Sequence, residues 1–376
     1  MSTGKDPLTN RPKTTTRTVR GTKKQAQVAL TALQGEVDQG RHLGTDGTLG
    51  LLLDRWLDMV EPELSPTTVT GYRRNIRVHI RPALGHVPLR KLEPATLDAF
   101  YTALRTEKGL APATVRQIHA VIRRALRQGV IWKWLPSNPA ALASPGRMDT
   151  AEHTPPLPPA VLRLIDAGAG SRNPDLGLFL RLAAATGARR GELCALRWRD
   201  VDLDAGELRI ERSVIELADG STVERTTKTK KPRRLRLDPE TVEALLDHRR
   251  TWGARLAVLK LHLSPTAHLF SSSSDGSTPM RPAAATQAFR RLRARAGIDG
   301  RLHDLRHFHA TQLLSQQTPV KTVSVRLGHA NASTTLRIYA HALEADDQGA
   351  AATIGRTLAR DPIQPVSPEA PPPAPS

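Results

Sequence analysis

Apolar residues recur every three to four positions through the first third of the chain, which is the period of amphipathic helices. Residues 49–60 follow this rhythm, and one face of that helix is expected to be buried. Pro66, Pro94 and Pro112 each stand where a further helix begins, since proline is favoured in the first turn. Gly129 interrupts the periodicity and predicts the end of the fourth helix. The pattern predicts a bundle of four helices.

Two of these helices carry arginine along their polar faces. A face of this kind could bind the phosphates of duplex DNA, because arginine is positively charged at every physiological pH. A charged face that is merely solvated is an equally good interpretation of any single arginine. The candidates for DNA contact are Arg73, Arg74, Arg77, Arg116, Arg123 and Arg124.

A change of pattern follows the helices. Residues 143–159 hold five prolines and lack periodicity, which predicts a linker. Beyond it, residues 207–215 and 222–229 alternate apolar and polar positions, which is the period of a strand. The dipeptide Asp219-Gly220 between them is typical of hairpin turns. We therefore expect a β-hairpin in the second half of the chain.

Helical periodicity returns after a third short strand that is predicted at residues 235–237. The fold class is predicted as α+β and mainly helical, with a helical domain followed by a mixed α/β domain. The predicted parts are a basic amino-terminal arm over residues 1–45, a helical domain over 46–142, a linker over 143–159, a mixed α/β domain over 160–360, and a proline-rich, disordered tail over 361–376.

Charge narrows the class of partner. Lysine and arginine outnumber aspartate and glutamate by 55 to 36, which gives a net charge of +19 and indicates a polyanion such as DNA or RNA. The most apolar stretch, residues 176–188, contains Arg181 and is too short to span a bilayer, so no membrane partner is expected. The chain does not open on a charged segment followed by an apolar one, so the expected location is cytoplasmic. The single cysteine, Cys194, is expected in the core.

Four short motifs in the second half carry the chemistry. The sequence TGARRGE spans residues 186–192, LHDLRH spans residues 302–307, LGH spans residues 327–329, and Tyr339 follows ten residues later. Each motif taken alone is a weak signal. Their occurrence together and in this order is specific.

In these motifs, and in the lysine-rich hairpin between them, the chain resembles the tyrosine recombinases, also called phage integrases. The similarity of pattern extends over roughly residues 49–345. The resemblance implies a helical SAM-like core-binding domain and a mixed α/β catalytic domain that close as a C-shaped clamp on duplex DNA, with four protomers joining two sites. It assigns Arg189 as the first catalytic arginine, Lys228 as the hairpin lysine, His303 and Arg306 as the central pair, His329 as the later histidine, Tyr339 as the nucleophile, and Glu192 as the supporting acidic residue.

The residue types suit the reaction that the resemblance implies. Attack on a phosphodiester builds a second negative charge at phosphorus, and two guanidiniums, Arg189 and Arg306, can hold that charge with fixed forks of donors. His329 would add a further donor. No metal and no nucleotide cofactor is expected, because the bond between phosphate and tyrosine conserves the energy of the phosphodiester.

Proton transfer must accompany the attack, because a tyrosine titrates near ~10 in model peptides. His303 is the expected acceptor or relay of the Tyr339 proton, and Glu192 is expected to orient the His303 imidazole. The departing 5′ oxygen needs a proton, which Lys228 is expected to supply.

Other interpretations of the motifs stay open. His303 and His307 lie four residues apart and could bind a metal ion, although the glutamate of a His-Glu-x-x-His motif is missing. Lys230 or Lys231 could take the place of Lys228 on a flexible hairpin.

The biological role is expected to be integration or excision of a phage or mobile element, because an amino-terminal arm precedes the two domains. The expected partners are double-stranded DNA attachment sites, three further copies of the chain in a homotetramer, and an excision or directionality factor. A Xer-like resolvase of chromosome or plasmid dimers, a type IB topoisomerase that acts as a monomer, and a DNA-binding protein with an inactive site are the alternatives.

Two terminal segments carry further expectations. Residues 21–26 lead into a helix and resemble the arm-site DNA-binding module of some integrases. The strands that normally precede this signature are not evident, so the arm is either a partial module of this kind or simply a basic tail. A helix over residues 345–359 is expected to pack on a neighbouring protomer.

Overall fold

The computed structural model describes residues 2–5, 12–14, 16, 18–38, 47–147, 155–217, 219–226, 232–329, 331–339, 351, 354 and 358. The chain divides into two compact units. The first comprises Met1–His153 with Glu216–Val223, and the second comprises Thr154–Ile215 with Glu224–Ser376. The predicted tail over residues 361–376 lies outside the described residues.

The first unit begins with a small module that the sequence did not reveal. Strands β1 (Ser2–Lys5) and β2 (Pro12–Thr14) pair in antiparallel fashion, and helix α1 (Lys23–Asp38) follows. Thr22 and Gln25 cap this helix reciprocally, since each backbone N–H bonds to the other's side chain. These strands are not evident in the sequence, because short polar strands lack the alternation of apolar and polar residues by which a strand is predicted.

A bundle of helices forms the rest of the first unit, as the periodicity predicted. Pro66, Pro94 and Pro112 begin their helices, and the amphipathic segment keeps its predicted bounds. The helices are α2 (Leu49–Val60), α3 (Pro66–Asn75), α4 (Arg81–Leu84), α5 (Pro94–Thr106) and α6 (Pro112–Ile131), with a π-helical turn at Ile76–Ile80 and 3-10 turns at Glu61–Glu63, Leu89–Lys91 and Pro139–Ala141.

Gly129 does not end α6, which continues to Ile131. A β-carbon at this glycine would lie 3.1 Å from the Leu52 side chain of α2, so the glycine permits close packing of two helices. The predicted termination was wrong because a helical glycine that faces a neighbour looks, in sequence, like a terminator.

The second unit packs helices around one buried helix and beside a small three-stranded sheet. Helix α8 has buried residues on every side, among them Leu176, Phe179 and Leu180, so its sequence lacks a polar face. The helices are α7 (Pro158–Ala169), α8 (Asp175–Thr186), α9 (Arg190–Cys194), α10 (Pro239–Val258), α11 (Pro282–Ala296), α12 (Asp304–Ser315), α13 (Val320–Leu327) and α14 (Ala332–Tyr339), with a 3-10 turn at Trp198–Asp200.

The predicted linker ends slightly earlier than expected, because Pro158 is already in the first turn of α7. Cys194 is fully buried, as predicted. No helix in the described part of the chain is long and apolar enough to cross a membrane.

The remaining strands form two sheets. They are β3 (Val201–Asp202), β4 (Glu207–Ile210), β5 (Arg212–Glu216), β6 (Thr222–Thr226) and β7 (Arg233–Arg236). The order in one antiparallel sheet is β3-β4-β7, with Leu208 opposite Leu235, and β5 pairs with β6 in the other. The turn between β5 and β6 contains Gly220 at a φ of 82°, as the Asp-Gly dipeptide predicted.

The single strand predicted over residues 207–215 is in fact two strands. The chain leaves the first sheet after Ile210, whose partner Arg233 is the first residue of β7. Arg212 then donates to both carboxylate oxygens of Asp200, at 2.7 and 2.5 Å, and its strand pairs elsewhere. Alternation continues across this break, so sequence alone does not show it.

The contact between α7 and α8 gives a test of the second unit. A β-carbon at Gly177 would lie 2.6 Å from the backbone nitrogen of Ala169. We expect Gly177→Ala to lower the free energy of unfolding by about 2 kcal/mol, because the helices must separate. Gly253→Ala in α10 is the matched control, since nothing lies within 4 Å of the added carbon. It should raise that free energy by about 0.5 kcal/mol. Urea denaturation of the full chain measures both, and equal effects would contradict the packing described.

Candidate active site

The site is built first on the turn that ends α8. Gly187 has a φ of 62° and caps the helix in the left-handed conformation that glycine adopts readily. A β-carbon there would lie 2.8 Å from both His309 and Leu327, so the position also permits a close approach of α12 and α13. The turn therefore brings three helices together and directs the chain into the Arg189 segment.

Arg306 lies in the first part of α12 and is 3% exposed. Its Nη1 donates to the Gly187 carbonyl at 2.6 Å, and its Nη2 donates to the Leu327 carbonyl at 2.7 Å. Burial, and then the positive charge of Arg189, lower the pKa of Arg306 to about 9. The guanidinium is still protonated at neutral pH, and the carbonyls at the ends of two helices hold it.

Arg189 precedes α9 as its N-cap. Its backbone N–H donates to Glu192 Oε2 at 2.8 Å, and its Nη1 donates to Glu192 Oε1 at 3.0 Å. Its Nη2 donates to the Gly328 carbonyl at 3.3 Å. The side chain is 36% exposed, so this guanidinium can also meet a ligand from outside.

Glu192 is 2% exposed and binds two guanidiniums. Besides Arg189, its carboxylate accepts from Arg233 Nη1 at 3.2 Å and from Arg233 Nη2 at 2.6 Å. Burial alone would raise the pKa of Glu192, but the hydrogen bonds and charge of Arg233, and then those of Arg189, hold it below its usual value. The expectation that Glu192 orients the His303 imidazole was wrong, because within the described ranges its partners are arginines.

Two histidines stay neutral beside these cations. Desolvation lowers the pKa of His329 to about 4, with further contributions from Arg306 and Arg189. Desolvation, followed by the charge of His307 and Arg306, also lowers the pKa of His303 to about 4. At pH 7 both rings can accept a proton, and each has one N–H to donate.

The hydroxyl of Thr335 lies 2.8 Å from Nδ1 of His329. Thr335 is fully buried in α14, so the bond is shielded from water. When this hydroxyl donates to Nδ1, the single proton of the neutral ring must be on Nε2. Thr335 thus has the position of a residue that fixes the His329 tautomer.

Tyr339 closes the site at the end of α14 and is 2% exposed. It packs with Ala310, Leu314 and Leu327 in a small apolar cluster. Burial raises the pKa of Tyr339, and the charge of Arg306 partly offsets this rise. The phenol is therefore protonated at neutral pH, close enough to Arg306 to be affected by its charge.

His307 connects the two ends of the site, because its ring centroid lies 5.1 Å from that of His303 and 5.5 Å from that of Tyr339. The geometry does not support the alternative of a metal site at His303 and His307. In the described part of the chain, no three His, Cys, Asp or Glu side chains are grouped so that they could hold a metal ion.

The structure brings together most of the residues that the sequence singled out. Lys228, with the alternatives Lys230 and Lys231, lies outside the described residues. Sequence reasoning missed Arg233, His307 as a neighbour of the tyrosine, and Thr335. The only signal for Arg233 was its place at a buried position of β7, where Arg234 and Arg236 point outward.

The candidate DNA-contacting arginines lie on α3, on the π-helical turn that follows it, and on α6 of the first unit, where they are exposed. Arg73 pairs with Glu61 at 2.6 Å, and Arg124 bonds to the Tyr72 hydroxyl. These two must exchange or share a partner if they bind phosphate. The others are Arg74, Arg77, Arg116 and Arg123.

Acid should destabilise the second unit through its buried histidines. Desolvation, and then the charge of Arg326, lower the pKa of His309 to about 4, below the 6.5 of a free histidine. The unfolded chain therefore binds the proton first as pH falls from about 6.5 to about 4, and stability decreases over that window. We expect the free energy of unfolding to fall by roughly 1 kcal/mol per pH unit for each such histidine.

Urea denaturation between pH 4 and pH 7 measures this slope. His309→Gln should reduce it by about one proton, because glutamine does not titrate. His262→Gln, at an exposed position of the same unit, is the matched control and should leave the slope unchanged. Equal slopes in the wild type and His309→Gln would contradict the pKa of His309.

Two models of known protein families match the chain. The model of the "Phage integrase family" matches residues 160–346, and the model "Phage integrase, N-terminal SAM-like domain" matches residues 48–105. Together they cover more than half of the chain.

Two relatives match nearly the whole length. The chain is 26% identical over 354 residues to a protein named "Tyrosine recombinase XerC-like" from Caldanaerobacter subterraneus subsp. tengcongensis, a match that covers 89% of each chain. It is 26% identical over 343 residues to the "Putative prophage phiRv2 integrase" of Mycobacterium tuberculosis, covering 88% of this chain and 86% of the relative.

Solved structures share the fold. The Tn1549 transposon integrase in complex with transposon right end DNA aligns with a TM-score of 0.70 at 20% identity, over 83% of this chain and 100% of that one. A lambda integrase tetramer bound to a Holliday junction aligns with a TM-score of 0.59 at 19% identity, over 91% of this chain and 93% of that one. The chain belongs to the phage integrase family, the tyrosine recombinases.

Proposed function

We propose that this chain cleaves and rejoins DNA at specific sites, with Tyr339 as the nucleophile. The observation that carries the proposal is the meeting of Arg189, Arg306 and His329 beside that tyrosine. The charges of both arginines act on the His329 ring, and the charge of Arg306 also acts on the Tyr339 phenol. One phosphate placed among them would contact cationic donors and the nucleophile together.

The two arginines would hold the charge that develops at phosphorus. A guanidinium has five N–H donors, and two of those on Arg306 are bonded to carbonyls. The remaining donors, with the exposed fork of Arg189 and the N–H of His329, suit the nonbridging oxygens of a five-coordinate phosphorus. Because these donors are already in place, they need little reorganisation during the reaction.

The Tyr339 oxygen forms a bond to phosphorus as the bond from phosphorus to the 5′ oxygen breaks. The proton of Tyr339 passes to His303, whose imidazole is neutral, and His307 lies along that route. Lys228 donates a proton to the 5′ oxygen, which leaves as a hydroxyl. The 3′-phosphotyrosyl bond retains the energy of the phosphodiester, so a 5′ hydroxyl of another strand can reverse the step without a nucleotide cofactor.

The first proposed role is integration or excision of a phage or mobile element, supported by the relative named as a prophage integrase. The partners would be DNA attachment sites, three further copies of the chain, and an excision or directionality factor. The lambda integrase tetramer on a Holliday junction supports a homotetramer. The place of action would be the cytoplasm, where the DNA substrates are.

The amino-terminal module supports the same role. Two antiparallel strands precede a capped helix there, which is more than a basic tail needs. We propose that this module binds DNA at sites separate from the cleavage site. The arginines of α3, the turn after it and α6 would grip the phosphates beside the cleavage site.

Resolution of chromosome or plasmid dimers is the second candidate, because another full-length relative is named XerC-like. The two roles share their chemistry and differ in their DNA. Recombination assays with the DNA that flanks the gene, against assays with dimer-resolution sites, discriminate between them.

The packing of a helix over residues 345–359 on a neighbouring protomer stays a prediction. Of this segment the structure describes residues 351, 354 and 358, which are helical and exposed.

Tyr339→Phe tests the nucleophile. The purified wild-type chain in EDTA is expected to form an SDS-resistant adduct with nicked attachment-site DNA, and the Phe variant is expected to form none. Tyr101→Phe is the matched control, because this buried tyrosine also loses only a hydroxyl, which bonds to His119 at 3.1 Å. Adduct from Tyr339→Phe would overturn the assignment.

Thr335→Val tests the tautomer of His329. Without the hydroxyl, the ring can place its proton on either nitrogen, so we expect strand cleavage to slow by about 10-fold, or ~1.4 kcal/mol of barrier. Thr335→Ser keeps the hydroxyl and should cleave at close to the wild-type rate. Single-turnover cleavage of nicked DNA measures both, and a Val variant as fast as the Ser variant would contradict the role.

A further inference from the structure

Arg233 is a buried arginine without a part in the chemistry described so far. It is the first residue of β7, and only 6% of its side chain is exposed. A guanidinium is seldom buried unless it is paired, because removing it from water costs several kcal/mol. Its partners therefore indicate what it does.

The contacts of Arg233 join Glu192 of α9 to the end of α13. Nη1 and Nη2 donate to the two oxygens of Glu192, and Nε donates to the Arg326 carbonyl at 2.9 Å. A β-carbon at Gly328 would lie 2.9 Å from Arg233 Nη1, so the glycine before His329 leaves room for this side chain. Each guanidinium nitrogen of this buried side chain already donates to Glu192 or to the Arg326 carbonyl, so Arg233 offers little to a phosphate that binds from outside.

The charges of the three residues explain why a second arginine is there. Glu192 contributes one negative charge and contacts both Arg189 and Arg233. With both arginines present, the group has a net positive charge of one. Without Arg233, Glu192 would neutralise Arg189 directly, and a phosphate would meet an ion pair in place of a cation. The shorter bonds of Glu192 run to Arg233 Nη2 and to a backbone N–H, at 2.6 and 2.8 Å.

We propose that Arg233 is a positioning residue that offsets the charge of Glu192 and so keeps the charge of Arg189 available to the phosphate that is cleaved. Glu192 then fixes the place of Arg189 without cancelling its charge. This inference rests on the proposed function, since it concerns the same phosphate. A purely structural role, in which Arg233 only ties β7 to α13, is the alternative.

The two roles predict different losses of cleavage rate when the negative charge of the substrate is reduced. A methylphosphonate at the cleavage position replaces one nonbridging oxygen by a methyl group, so the phosphorus centre has one negative charge fewer. We expect Arg233→Met to slow single-turnover strand cleavage of ordinary DNA by about 30-fold or more, and that of methylphosphonate DNA by less than about 3-fold. Equal losses on both substrates would overturn the proposal.

Two further variants make the experiment decisive. Arg233→Lys keeps the charge and should recover at least about 10-fold of the loss on ordinary DNA. Arg234→Met is the matched control, because it removes the neighbouring arginine of the same strand, which is 73% exposed, and should change cleavage by less than about 3-fold. A Lys variant as slow as the Met variant would overturn the role of charge.

The test does not depend on the folding of Arg233→Met. In the Glu192→Gln background the carboxylate that contacts Arg189 and Arg233 is gone, so adding Arg233→Met should cost less than about 3-fold on ordinary DNA. A loss of about 30-fold in that background would overturn the proposal. Absence of cleavage by the wild-type chain would instead refute the proposed function, so the two failures are distinguishable.

Discussion

The catalytic unit depends on keeping several positive charges together where little water can reach them. Arg306 and Arg233 are almost fully buried, and like charges at this range repel strongly in a medium of low polarity. The carboxylate of Glu192 and the carbonyls of Gly187 and Leu327 offset that repulsion. Because these groups end helices or begin them, the packing of α8, α9 and α13 is what makes the concentration of charge possible.

Burial and the same concentration of charge together determine the protonation states of the other groups. Desolvation, and then nearby positive charge, lower the pKa values of His303 and His329, while the hydrogen bonds and charge of Arg233 and Arg189 hold the pKa of Glu192 below its usual value in spite of burial. Neutral imidazoles beside fixed guanidiniums are suited to accept or donate single protons, while the arginines supply the permanent charge. The division of labour between histidine and arginine is therefore a consequence of one electrostatic environment.

Sequence reasoning found the helices because proline and apolar periodicity both act locally. Pro66, Pro94 and Pro112 begin helices whatever surrounds them, and the motif residues Arg189, Arg306 and His329 meet as their family positions imply. Sequence reasoning failed where the role of a residue depends on which neighbour its side of the helix or strand contacts. Gly129 looks like a terminator until Leu52 is beside it.

Arg233 shows the same limit in the site itself. Three arginines occupy β7, and only Arg233 is buried while Arg234 and Arg236 are exposed, so the residue type gives no indication of which one binds Glu192. Glu192 was misassigned to His303 for a related reason, since its true partner lies 41 residues away on a strand whose register the sequence does not give. Lys228 remains a prediction, because it lies outside the described residues.

The burial of Tyr339 has a consequence for the timing of the reaction. The side chain is 2% exposed within a cluster from α12 and α13, so in the proposed reaction a phosphodiester would reach its oxygen only after the surrounding side chains make room. With Tyr339 as the proposed nucleophile, movement of the short helix α14 would then precede the first chemical step. Any contact that restricts or eases the movement of this helix would lower or raise the rate of strand cleavage without changing a reacting group.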